Sequence, residues 1–186
     1  MLKKLVPGLL CATVISAVAA LPVAAADVET NAQVCAGCHG QDGKPVIPNT
    51  PIIWGQQANY LYKELHDYHS GARANEVMGP IAKNFTLAEL RDIANYFAAK
   101  TAPTPASAAA AATMPQQANQ CLICHGKSFE GGAPAPRLAG LGYDYLIAQM
   151  NAFADGKRTN NEDMPKYMKA LTSAQREEVA HYIAGL

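Results

Sequence analysis

Cys35-Ala36-Gly37-Cys38-His39 and Cys121-Leu122-Ile123-Cys124-His125 are two copies of one five-residue pattern, C-x-x-C-H, set 86 positions apart. This is the attachment signature of a c-type haem. On a nascent helix, cysteines three apart project from one face and add across the two vinyl groups of a porphyrin, while the adjoining histidine turns its imidazole onto the iron. The thioether bonds then hold the cofactor even when an axial ligand loosens. Two other chemistries use paired cysteines. A zinc site would draw four thiolates from the two pairs, but the pairs would have to converge across a long stretch of chain, and the two histidines would have no role. A thioredoxin-like redox pair wants a βαβ setting that the surrounding sequence lacks. The expectation is two covalently attached haem c groups, one bound by Cys35, Cys38 and His39 and one by Cys121, Cys124 and His125.

Around these motifs the chain has 186 residues, 49% apolar and 16% charged, with 15 basic and 15 acidic side chains. That balance leaves no cationic excess for a polyanion, so nucleic acid is not an expected partner. Aromatic residues make up only 7%, and no run alternates at period two, which points to an all-α fold. The fifth cysteine, Cys11, lies in an N-terminal leader: Lys3 and Lys4, an apolar stretch from Leu5 to Leu21, and the small residues Ala24, Ala25 and Ala26. This reads as a secretory signal peptide over residues 1–26, cleaved before Asp27. Pro7, Gly8 and Pro22 interrupt the stretch, whereas a spanning helix wants about 20 apolar residues. The expected address is periplasmic, and the mature chain would carry 13 basic and 15 acidic side chains, a net charge of −2.

Residues 101–114, TAPTPASAAAAATM, are uncharged and almost wholly Ala, Pro, Thr and Ser, a linker composition. They divide the mature chain into domains over 27–100 and 115–186. The halves repeat one another. Pro51, Gly55, Tyr60, Leu61, Gly71 and Arg73 recur at offset 85 as Pro136, Gly140, Tyr145, Leu146, Gly156 and Arg158. Met78, Thr86, Ala94 and Tyr96 recur at offset 86 as Met164, Thr172, Ala180 and Tyr182. Each half is expected to run as a short helix into the cysteine cluster, a Gly/Pro-rich loop, a middle helix, a Met-bearing loop and a final helix. The middle helices should cover about 58–68 and 143–154, ending near Gly71 and Gly156. Thr86-Leu87-Ala88-Glu89 and Thr172-Ser173-Ala174-Gln175 match the capping box that opens a helix. Leu87, Leu90, Ile93, Ala94 and Phe97 then follow at helical spacing; the second copy keeps Val179, Ala180 and Ile183 but has Arg176 where the first has Leu90.

A six-coordinate haem needs a second axial donor. Met78 lies 39 residues after His39, and Met164 lies 39 after His125. A lone methionine usually fills core gaps, but equal intervals in two copies favour ligation, with Met168 the alternative for the second haem. Met114 and Met150 read as linker or packing residues. Pro51 and Pro136 either offer carbonyls to the free Nδ1–H of His39 and His125 or simply shape their loops. Tyr96 and Tyr182 read as packing on the cysteine helix, and Trp54 as packing at a haem edge. Arg73 and Arg158 read as solvated or as partners of haem propionates. His66 and His69, absent from the second copy, read as solvated rather than metal-binding. Lys44, Lys83, Lys127 and Lys166 are candidates for a docking rim.

Taken together, the two C-x-x-C-H sites, the P-x-x-x-G stretches at Pro51 and Pro136, the G-x-R turns at Gly71 and Gly156, and Met78-Gly79-Pro80-Ile81-Ala82-Lys83 before a capped helix resemble the cytochrome c4 family. The resemblance covers residues 27–186. It implies two tandem class I cytochrome c domains related by a pseudo-two-fold, each wrapped around one haem with His/Met ligation, and electron transfer between a quinol-oxidising complex and a terminal oxidase. Peripheral association with a membrane complex goes with that role. The same span is similar to the di-haem cytochrome subunit of flavocytochrome c sulfide dehydrogenase and to cytochromes that accept electrons from thiosulfate oxidation, where the partner is a flavoprotein or a thiosulfate-oxidising enzyme. Either resemblance implies an electron carrier with no catalytic acid or base. The first half has six basic and eight acidic side chains and the second seven of each, so the first haem is expected at the lower potential.

Overall fold

A computed structural model of the protein describes residues 27–103 and 113–186. The leader over 1–26 and most of the linker over 101–114 lie outside the described residues. The first half contains α1 (Val28–His39), α2 (Ala58–Ser70), α3 (Met78–Ala82) and α4 (Leu87–Ala98). A 3-10 turn (Gln116–Cys121) leads the second half into α5 (Leu122–His125), α6 (Tyr143–Ala154), α7 (Met164–Lys169) and α8 (Ser173–Ala184). Among the described residues the only β pairing is an isolated bridge between Gly132 and Ala135. The architecture is all-α.

The final helices start as their capping residues dictate. Thr86 and Thr172 accept from the N–H groups of Glu89 and Gln175, whose side chains reach back to the threonine N–H. In the first half α2 and α1 both pack on α4, burying Ala32, Leu61, Ile93, Ala94 and Phe97. In the second α6 packs on α7 and α8 around Leu146, Met150, Phe153, Met168, Val179 and Ile183. Full burial of each large apolar side chain contributes about 1.5–3 kcal/mol. Where Arg176 replaces Leu90, a tether replaces apolar packing: its Nε donates to Asn151 Oδ1 at 2.8 Å, and one terminal nitrogen donates to the carbonyls of Met168 and Leu171. These bonds tie α8 to the end of α7.

Two expectations are corrected. The Met-bearing segments are not plain loops, because Met78 and Met164 are the first residues of the short helices α3 and α7. The nearby prolines read as loop signals, yet the fixed φ of proline also suits the first helical turn, where Pro165 sits. The helices before the cysteines also differ. Asp27 caps α1 by accepting from Glu29 N–H, and twelve residues follow in one helix. The matching segment behind Pro115 has no side-chain cap and makes a 3-10 turn and one α-turn instead.

Candidate cofactor site

His39 and His125 are the last residues of α1 and α5, and each is followed by a glycine at positive φ, 88° at Gly40 and 83° at Gly126. A Cβ at Gly40 would sit 1.9 Å from the carbonyl oxygen of Lys44, so only glycine turns the chain back there. The turn carries the following loop over the imidazole. His39 Nδ1–H donates to the Pro51 carbonyl at 2.8 Å, and His125 Nδ1–H to the Pro136 carbonyl at 2.9 Å. Both rings are 7% exposed, and burial holds both below the ordinary histidine pKa, only partly countered by the proline carbonyl. Each is therefore a neutral imidazole with its proton on Nδ1 and a lone pair on Nε2. Of the two readings of these prolines, the carbonyl acceptor is the one observed.

Met78 and Met164 are placed by a device that recurs with them. Asn75 Oδ1 accepts from the N–H of Val77 (3.0 Å) and Met78 (2.7 Å), and Asn161 Oδ1 from Asp163 (3.0 Å) and Met164 (2.8 Å). The two asparagines keep the 86-residue offset, as do Gly40 and Gly126; the sequence alone did not single them out, and that offset is the signal that would have found them. Cys35, His39 and Met78 face a cavity of about 650 Å³, and Cys121, Cys124, His125 and Met164 face it from the second half. Cys38 stands one turn along α1 from Cys35, half-buried, and does not border the cavity. The walls are the two cores themselves: Leu61, Ile93 and Phe97 on one side, Leu146, Phe153 and Ile183 on the other. Met168 reaches the cavity too, but at 2% exposure it is part of the second core. The lining is apolar and carries a thiol, an imidazole and a methionine from each half, a donor set that fits a large apolar prosthetic group. Burial pushes the Cys35 thiol up to about 11 and raises that of Cys121. Among the described residues no three His, Cys, Asp or Glu gather to hold a metal ion, His66 and His69 included.

Arg73 and Arg158 are neither solvated nor free: each is 7% exposed. Arg73 donates to Glu64 Oε2 (2.6 Å) and Gln149 Oε1 (2.6 Å); Arg158 donates to Gln149 Oε1 (2.9 Å) and Glu64 Oε1 (2.9 Å). Glu64 and Gln149 match at offset 85, as the arginines do, so the four side chains close a square with a pseudo-two-fold through it. The square borders the cavity and joins the halves. Trp54 does not border the cavity; its ring covers Gly43, and its Nε1 is buried without a partner among the described residues. Tyr96 and Tyr182 pack, half-buried, against the two cores. Lys44, Lys83, Lys127 and Lys166 are all exposed, but Lys44 and Lys166 lie 3.9 Å and 3.1 Å from Asp42 and Asp163, which weakens a cationic rim.

The family model for cytochrome c matches residues 25–100 and again 107–186. A cytochrome c4 of Azotobacter vinelandii is 31% identical over 186 residues, spanning 87% of this chain and 89% of its own. A thiosulfate dehydrogenase electron acceptor of Stutzerimonas stutzeri is 33% identical over 172 residues, covering 83% of this chain and 80% of its own. The crystal structure of reduced recombinant cytochrome c4 from Pseudomonas stutzeri superposes with a TM-score of 0.76 at 29% identity, over 87% of this chain and all of that one. Among the described residues no helix is long and apolar enough to cross a membrane.

Proposed function

Since this chain belongs to the cytochrome c family, in the tandem two-domain form of the cytochromes c4, we propose that it shuttles electrons in the periplasm from a quinol-oxidising complex to a terminal oxidase. Membership carries with it two covalently bound haem c groups and the role of an electron carrier rather than an enzyme. Haem c supplies an iron that takes up and releases one electron at a time. In this reading Cys35 and Cys38 tether the first group and Cys121 and Cys124 the second. His39 with Met78, and His125 with Met164, would hold the two irons. The periplasmic address rests on the leader pattern.

One observation carries the reading: each half presents an imidazole with its Nδ1–H already engaged and a methionine pinned by an asparagine, both facing the same cavity. Held by those two pairs, each iron would have its donors from the chain itself and no position left for a substrate. Thioether donors there would favour the reduced state and set both potentials high. Carbon monoxide binding tests this. The unaltered protein should show methionine-to-iron absorption at both haems and no rapid carbon monoxide binding; Met164→Ala should lose that absorption and gain carbon monoxide binding at one haem, and the wave displaced should be the higher of the two. Met168→Ala should keep both bands. Rapid binding by the unaltered protein, or a band lost with Met168→Ala, contradicts the assignment.

A second reading is favoured by the similarity to the thiosulfate dehydrogenase electron acceptor. There the same two sites would accept electrons from a sulfide- or thiosulfate-oxidising enzyme. Co-purification with a flavoprotein or a thiosulfate-oxidising partner at fixed stoichiometry would select it over the free shuttle.

A further inference from the structure

We propose that Gln56, in the first domain, is a positioning residue for the second haem, holding the peptide group whose carbonyl orients His125. This rests on His125 being an iron ligand. Gln56 Oε1 accepts from the N–H of Arg137 at 2.8 Å, and Gln56 Nε2 donates to the Arg137 carbonyl at 2.9 Å. That N–H and the Pro136 carbonyl are opposite ends of one planar peptide unit. Fixing the N–H therefore fixes the direction of the oxygen that accepts the His125 Nδ1–H at 2.9 Å. Gln56 is 4% exposed, so water does not readily stand in for it. Arg137 closes the clasp from its own side, donating to the Trp54 carbonyl at 2.9 Å and to the Gly55 carbonyl at 3.4 Å.

The device works in one direction only. In the first half the corresponding peptide joins Pro51 to Ile52, and the position matching Gln56 is Leu141, whose side chain has nothing to donate or accept. The two histidines thus have the same acceptor but different support. A peptide group bonded at both ends is polarised, which strengthens the bond from the imidazole. A stronger Nδ1–H···O bond makes the ligand more basic and favours the oxidised iron. Gln56 accordingly holds the second potential down and makes it sensitive to how the domains sit together, while the first is spared.

The test uses the full holoprotein with Gln56→Met, which keeps the length of the side chain and removes its amide, and Gln56→Glu, which keeps the acceptor for Arg137 N–H. Exchange of each histidine's Nδ1 proton is followed by NMR, and the two reduction waves are assigned from the iron-shifted ligand resonances. Gln56→Met should speed exchange at His125 about tenfold, the loss of roughly one net hydrogen bond, and move the second wave upward. The His39 proton and the first wave should not move, and Gln56→Glu should restore slow exchange at His125. Unchanged exchange at His125 in Gln56→Met, or equal acceleration at both histidines, overturns the proposal. If the unaltered protein shows no iron-shifted His125 resonances, the ligand assignment itself fails, and the proposal falls with it for a distinguishable reason.

Discussion

Asp67 receives the Lys63 ammonium at 2.5 Å and the Asn160 amide at 2.7 Å, the second from across the domain boundary. Burial works to raise its carboxyl pKa, but the hydrogen bonds from Lys63 and Asn160 outweigh it, leaving the group below the ordinary 3.8. The unfolded chain therefore takes up this proton at a higher pH than the folded one. The stability that Asp67 contributes is complete above 3.8 and is lost as pH falls through the lower folded value. Asp67→Asn should accordingly be less stable than the unaltered protein at neutral pH, with the gap in denaturant midpoint closing below pH 3.8; a gap independent of pH would show that the charge plays no part. Legibility at this scale follows locality. His39, His125, Met78 and Met164 stand out because their spacing repeats, and the cavity brings them together. Arg73 and Arg158 did not declare their roles, because Gln149 is 76 residues from Arg73 and Glu64 is 94 from Arg158. No periodicity within one element reports such pairs.

The helices are legible where their ends are written in side chains. The capping boxes at Thr86 and Thr172 and the left-handed glycine ending α2 set boundaries that the structure reproduces, and α6 spans Tyr143–Ala154 as its pattern requires. Where a cap is missing, the type of helix changes, as in the 3-10 turn behind Pro115. α8 is the element most dependent on its cap, since Arg176 takes a position that is apolar in α4 and only Val179, Ala180 and Ile183 are fully buried. Thr172→Ala should cost about 1 kcal/mol, read as a lower denaturant midpoint with an unchanged slope. Thr172→Ser, which keeps the hydroxyl, should recover most of it. Equal losses in the two variants would mean that the methyl group, not the cap, supports α8.

At the scale of the whole molecule, two domains too small to bury much by themselves share one cavity and one buried square of charge. Two guanidinium groups face a single carboxylate there, at 7% exposure throughout. Glu64→Ala leaves both arginines buried without their counter-charge and should cost about 3 kcal/mol; Glu64→Gln, which reproduces Gln149, should cost less. If the square joins the halves, calorimetry of Glu64→Ala should resolve two transitions where the unaltered protein shows one; a single unsplit transition would place the coupling elsewhere. The repeat made the two-domain plan legible from sequence, whereas the way the domains clasp, through Gln56, Arg137 and the square, appears only in three dimensions. If His39 with Met78 and His125 with Met164 hold the irons, both would be six-coordinate electron sites. An anaerobic spectroelectrochemical reduction of the mature protein, followed at the methionine-to-iron band, tests it most directly. Two one-electron waves at positive potentials are expected, with the methionine signature at both haems; one strongly negative wave, or a haem without that signature, would rule out six-coordination at both sites.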